Sequence, residues 1–122
     1  MEMTYKESAD YNSLSSQNKK KFAQIAEEHP YWSFKQVLTK LSIEDNVDNV
    51  VERCGGDVDR NDPKTWVLIL EGAKQTLSKF KAIGADVLGV IDGAIQSIKT
   101  AISAGIKQIG NLISKLLGNL FD

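Results

Sequence analysis

Cysteine and histidine are scarce in this chain: Cys54 is the single cysteine and His29 the single histidine. One thiol excludes an intramolecular disulfide framework and leaves no ligand set for a structural zinc ion. His29 precedes a proline and Cys54 precedes a glycine pair, and nothing in their spacing brings them together as a catalytic base and nucleophile. We therefore expect no enzyme, no metal ion and no cofactor.

A long apolar run is also missing. Asp86, Asp92, Lys99, Lys107 and Lys115 interrupt the apolar C-terminal region, so we expect no constitutive transmembrane anchor. The N-terminus is polar and lacks the apolar core of a secretory signal peptide, so we predict none. The sequence leaves the location undecided: the protein is either cytoplasmic or exported by a leaderless route. A peripheral position on a membrane is compatible with both.

Clustered positive charge is absent as well. The formal net charge is -1, with 8 basic against 12 acidic residues in 1–63 and 7 against 4 in 64–122. The basic residues of the second half are all lysines, too widely spaced for a nucleic-acid-binding surface. We predict no nucleic-acid partner.

A calcium-loop pattern begins in the middle of the chain and then fails. Asp57, Asp59 and Asn61 occupy its first, third and fifth positions, where alternate oxygen ligands converge on one ion. Asp62 stands at the sixth position in place of glycine, and Leu68 at the twelfth in place of a bidentate glutamate. The pattern indicates an acidic linker that caps the next helix.

The spacing of apolar residues predicts an all-α fold, a small helical bundle with a long C-terminal amphipathic helix or helical hairpin rich in Gly, Ala and Ile. Residues 1–14 form a polar, extended arm. Residues 15–62 form a short-helix subdomain with the acidic linker at its end, and residues 63–122 form a long helical region. Within that region we predict a helix over 63–81 and an amphipathic helix over 83–121, either continuous or folded back as a hairpin.

Three short helices are predicted in the subdomain from their capping residues. Ser15 or Ser16 caps the first, and Ser33 caps the second. Ser42, with an aspartate three positions later, opens the third, which ends at a glycine pair. That third helix carries too many carboxylates for the recognition helix of a helix-turn-helix motif, which must approach phosphates. The predicted core combines side chains from these helices and the following one: Phe22, Ile25, Trp32, Phe34, Leu38, Leu41, Val47, Val50, Trp66, Leu70, Leu77 and Phe80.

Two periodicities run along residues 83–121. The first, which we call the isoleucine stripe, has ten gaps that span 37 residues, a mean of 3.7 that keeps its side chains on one helical face. It comprises Ile83, Val87, Ile91, Ile95, Ile98, Ile102, Ile106, Ile109, Ile113, Leu116 and Leu120. The second, the small-residue ladder, recurs at every fourth position and allows another helix to approach closely. It comprises Ala85, Gly89, Gly93, Ser97, Ala101 and Gly105.

The segment AIGADVLGVIDGAIQSIKTAISAGIKQIGNLISKLLGNLFD, residues 82–122, resembles leaderless membrane-active peptides such as phenol-soluble modulins and the glycine-zipper segments of pore-forming proteins. The resemblance rests on composition and on the small-residue ladder, and it covers about a third of the chain. It implies a membrane-active C-terminal region, with residues 1–80 as a helical domain that shields, delivers or regulates it.

We therefore expect a non-enzymatic protein whose C-terminal helix self-associates and engages membranes, as in a small toxin, a bacteriocin-like effector or a membrane-remodelling factor. Its partners would be further copies of the chain or a helical partner protein, together with membrane lipid. The alternative is a soluble structural or adaptor bundle that oligomerises through the same helix without membrane contact. In both cases the ladder predicts a helix–helix contact centred on Gly93, either within the chain against the helix over 63–81 or between subunits.

Overall fold

The computed structural model describes residues 5–56 and 62–121, and their secondary structure is helical with no strand. The predicted all-α bundle is confirmed. A 3₁₀ helix at Tyr5–Glu7 precedes six α-helices: α1 (Ala9–Asn12), α2 (Ser16–Glu28), α3 (Phe34–Arg53), α4 (Pro63–Leu77), α5 (Ala85–Ser103) and α6 (Gly110–Phe121).

Three of the predicted capping residues begin helices in the structure. The Ser15 hydroxyl accepts the Asn18 backbone N–H, and the Asp62 carboxylate accepts the Lys64 backbone N–H. Ser33 forms a complete capping box with Gln36. These side chains satisfy backbone donors that a helix leaves without partners in its first turn, which is why local sequence locates the helix starts well.

The two short helices predicted on either side of Ser42 are one helix, α3. Ser42 is buried inside it, and its carbonyl accepts a hydrogen bond from the Asn46 side chain. Leu41 and Ile43 are buried as well. The backbone here lies away from water and needs continuous helical hydrogen bonds, a requirement that outweighs the capping tendency of one serine.

The single helix predicted over 83–121 is wrong, because the chain turns between α5 and α6. Gly105 adopts φ +81°, a left-handed conformation that only glycine takes without strain. Its N–H donates to the Ile102 carbonyl, and the Ile106 N–H donates to the Ala101 carbonyl, both at 3.0 Å. This pair of bonds is a Schellman motif, a standard helix C-terminus.

Helices α4 and α5 form an antiparallel hairpin, which resolves the alternative left open by the sequence. α4 packs against both α3 and α5, α2 packs on α3, and α6 packs on α5 and α3. Two ion pairs join the exposed sides of the hairpin, Lys74 to Asp92 at 2.9 Å and Lys99 to Glu71 at 3.7 Å. The predicted helix over 63–81 ends earlier, at Leu77.

The N-terminal arm is not extended over its described part. Tyr5 is buried, and its ring contacts those of Tyr11 and Phe22 with centroids 5.2 and 4.9 Å away. The buried carboxylate of Asp10 accepts the backbone N–H groups of Lys81 at 3.0 Å and Ala82 at 2.7 Å. These donors are then not available to prolong α4, and the arm is fixed to the turn of the hairpin.

Most of the predicted core is confirmed. The buried members are Phe22, Ile25, Leu38, Leu41, Val50, Leu70 and Leu77. The remaining five are only partly buried and pack at the edge of the core: Trp32, Phe34, Val47, Trp66 and Phe80. Tryptophan is so large that it is rarely fully buried, whereas the smaller side chains of Val37, Ile69 and Ala73 fit inside completely.

Gly72 lies where α4 packs closely against α3. A methyl group at this position would overlap the side chain of Asn46, which is buried and donates to the Ser42 carbonyl at 2.7 Å. At Gly93, in the small-residue ladder, an added methyl group would meet no atom within 4 Å. Gly72, the glycine that tight helix packing requires, is therefore not a member of the predicted small-residue ladder.

Two glycine-to-alanine variants test this difference. Alanine favours helix over glycine by about 1 kcal/mol, so Gly93→Ala should raise the free energy of unfolding by up to about that amount. Gly72→Ala should lower it by about 1 kcal/mol or more, because the methyl group displaces Asn46 and its buried hydrogen bond. Urea denaturation measures both. Stabilisation by both variants would contradict the close α3–α4 contact.

Candidate functional site

The isoleucine stripe is mostly part of the core. Ile91, Ile95 and Ile98 are 0–3% exposed on α5. The other members divide by position: Ile83, Ile109 and Ile113 are buried, while Val87, Ile102, Leu116 and Leu120 are half-buried. Ile106 is 48% exposed. The role of the stripe as a membrane or partner surface stays a prediction, and in this folded state its most exposed member is Ile106, after the end of α5.

The small-residue ladder lies on the outside of the bundle. Five of its members are exposed, and Ala101 is buried. Added Cβ atoms at Gly89 and Gly93 would meet nothing within 4 Å. The predicted contact of Gly93 with α4 is therefore wrong, because α4 packs on the isoleucine face of α5 and leaves the ladder uncovered. The alternative, contact between subunits, stays a prediction.

The turn between α5 and α6 carries the most exposed apolar side chain of the stripe. Ile106 lines two cavities. One has a volume of 420 Å³ and lies between the end of α5 and the start of α4, where Asp62, Pro63, Lys64, Ile102, Gly105 and Lys107 complete it. The other has a volume of 550 Å³ and is completed by Gln108, Ile109, Gly110, Asn111 and Leu112. We call this region the Ile106 surface.

The charged side chains of α5 after Asp92, of the following turn and of α6 are lysines. Lys99 is paired with Glu71 across the hairpin. In the described part of the chain, Lys64, Lys107 and Lys115 are exposed and have no carboxylate within 4.0 Å of their ammonium groups. Residues 93–121 contain no aspartate or glutamate. The charged side chains of residues 93–121 are therefore all positive.

Helix α6 is held on the bundle by an aromatic stack at its last residue. The Phe121 ring stacks on Trp32 with centroids 4.9 Å apart, and Trp32 stacks on His29 at 3.6 Å. The Gln36 amide donates to the Leu120 carbonyl at 3.3 Å, which satisfies an acceptor at the end of the helix. We call these contacts the aromatic clamp. Sequence periodicity did not reveal it, and the only signal was the aromatic character of residues 31, 32 and 121.

His29 and Cys54, the two residues considered for catalysis, lie at the C-terminal ends of α2 and α3. Cys54 is exposed at the end of α3, and His29 stacks on Trp32. Among the described residues, no group of His, Cys, Asp and Glu side chains could hold a metal ion. The calcium-pattern residues Asp57, Asp59 and Asn61 lie outside the described residues.

Comparisons with protein-family models, with curated proteins and with solved structures found no match to this chain. Within residues 5–56 and 62–121, none of the helices has both the length and the apolarity needed to span a bilayer.

Removal of the clamp should release α6 selectively. Trp32→Ala deletes one ring from the stack, and the loss of an aromatic pair with its buried area should weaken the docking of α6 by about 1–2 kcal/mol. Amide hydrogen exchange in α6 should then accelerate about tenfold relative to α5. Tyr31→Ala is the matched control, because Tyr31 is 97% exposed. Unchanged exchange in α6, or equal acceleration in every helix, would contradict the clamp.

Proposed function

We propose that this is a non-enzymatic helical protein that binds membrane surfaces through its C-terminal segment and self-associates through α5. The observation that carries the membrane proposal is the chemistry of residues 104–121. Lys107 and Lys115, which are exposed and have no carboxylate partner among the residues that the structure describes, accompany exposed Ile106 and half-buried leucines on one short amphipathic segment. Amphipathic helices of this character lie in the interface of a bilayer, with lysines at the headgroups and apolar side chains toward the acyl chains.

The buried part of the stripe limits how such binding would occur. Full burial of an isoleucine side chain contributes about 1.5–3 kcal/mol, so exposing Ile91, Ile95 and Ile98 would cost an amount comparable to the stability of a small domain. Binding through the edge of the folded bundle, by α6 and the turn before it, avoids this cost. The aromatic clamp holds α6 on the bundle in this arrangement.

Vesicle co-sedimentation and leakage test the membrane proposal. We expect binding to vesicles that contain an anionic phospholipid, weaker binding to neutral vesicles, and weakening by salt. The double variant Lys107→Glu/Lys115→Glu should bind anionic vesicles at least tenfold more weakly, because each lysine contributes about 1 kcal/mol near an anionic surface and the reversal adds repulsion. Lys20→Glu, an exposed change on α2, is the control. No association with either kind of vesicle would overturn the membrane proposal.

The second candidate is a soluble structural or adaptor bundle that oligomerises through α5 without lipid. The open space above Gly89 and Gly93 favours it, because a row of small side chains on an exposed helix lets another backbone approach closely. Two such ridges cross at about -40° to -50°.

Gly93→Leu tests self-association in solution. The leucine should stabilise the isolated helix by roughly 1 kcal/mol and should weaken the association of subunits, because its bulk separates the two backbones. Sedimentation velocity of the full chain measures the association, and Gln17→Leu adds the same side chain at an exposed position of α2 as a control. An unchanged association state in Gly93→Leu would show that the ladder is a solvent-facing row and not an interface.

A further inference from the structure

Residues at the start of α4 contribute to the Ile106 surface, together with those of the C-terminal segment. The cavity between the end of α5 and the start of α4 includes Pro63 and Lys64 of α4 together with Ile102 and Ile106. Leu68, one turn after Lys64 on the same face of α4, is 49% exposed. Ile106 and Leu68 are thus two large apolar side chains that the bundle leaves half in water at this end.

The exposure of Ile106 follows from the way α5 ends. In a Schellman motif the residue after the left-handed glycine usually packs back on the helix, three positions before its end. That position in α5 is Ala101, a small buried side chain that offers little surface to cover an isoleucine. The side chain of Ile106 therefore stands between the two cavities with about half of its area unburied.

The charges around this apolar ridge indicate the chemistry of its partner. Lys64 and Lys107 line the same cavity and have no carboxylate partner within the described residues. Asp62 is the one carboxylate among the described residues that line this cavity, and it accepts the Lys64 backbone N–H at 2.9 Å as the cap of α4. Among the described lining residues, two ammonium groups against one carboxylate give a positive balance of charge beside exposed Ile106. A complementary ligand carries an anionic group next to an apolar one.

We infer that the Ile106 surface is the docking site for an anionic membrane surface, with lipid phosphates at Lys64 and Lys107 and Ile106 inserted among the upper parts of the acyl chains. This inference rests on the proposed membrane function and adds to it the docking site on the bundle and a contribution from α4. Ile106 lies between two open cavities, so a membrane surface that covers both cavities also encloses its side chain. Lysine stems reach such a surface while their ammonium groups remain at the headgroups.

The decisive experiment titrates the full chain with vesicles of phosphatidylcholine alone and of phosphatidylcholine with phosphatidylglycerol. Ile106→Asp should weaken binding to the mixed vesicles at least tenfold, and Lys64→Glu should weaken it about fivefold or more. Tyr31→Asp and Lys20→Glu, at exposed positions on other parts of the bundle, should bind as the wild type does. Circular dichroism and urea midpoints confirm that each variant is folded.

The outcomes separate this inference from the function on which it rests. Wild-type binding that survives both Ile106→Asp and Lys64→Glu overturns the Ile106 surface as the docking site and leaves the membrane proposal standing. Absence of wild-type binding to both kinds of vesicle overturns both. A third outcome is that the mixed vesicles do not bind, whereas a soluble acidic peptide binds and loses affinity in Ile106→Asp. That result would show that the surface recognises protein and would overturn the lipid assignment.

Discussion

Burial of the isoleucine face of α5 against the rest of the bundle is the interaction on which the remaining structure depends. Ile91, Ile95 and Ile98 fill the space beside α4, which itself packs against α3. At about 1.5–3 kcal/mol for each fully buried side chain, these three residues contribute as much as the net stability of many small domains. The ion pairs across the hairpin are half exposed, so they add little by comparison.

That burial decides which surfaces remain for function. Most of the isoleucine stripe on α5 is buried in the bundle. At Gly105 the chain turns, Ile106 is exposed, and α6 follows. The same packing turns the small-residue ladder to solvent. Two surfaces of the C-terminal region are therefore exposed, the Ile106 surface and the small-residue ladder. The first proposed function uses both surfaces, and the second uses only the ladder.

Local chemistry could be predicted from the sequence, and long-range packing could not. Ser33 and Asp62 cap helices through bonds within three residues, so their role is visible in the sequence. Gly105 resembles Gly89 and Gly93 in sequence, because apolar residues continue at helical spacing on both sides of it, yet only Gly105 has a positive φ among the three. The stack of Trp32 on Phe121 joins residues far apart in the chain, and no periodicity records such a contact.

The accessibility of individual isoleucine methyl groups tests the central claim, that the middle of the stripe on α5 is core and that its most exposed side chain lies at the turn after α5. Methyl NMR spectra of the protein labelled at isoleucine, recorded with a soluble paramagnetic agent, report how closely solvent approaches each side chain. We predict the strongest attenuation at Ile106, intermediate attenuation at Ile102, and the weakest at Ile91, Ile95 and Ile98. Attenuation of these last three as strong as that of Ile106 would contradict the account.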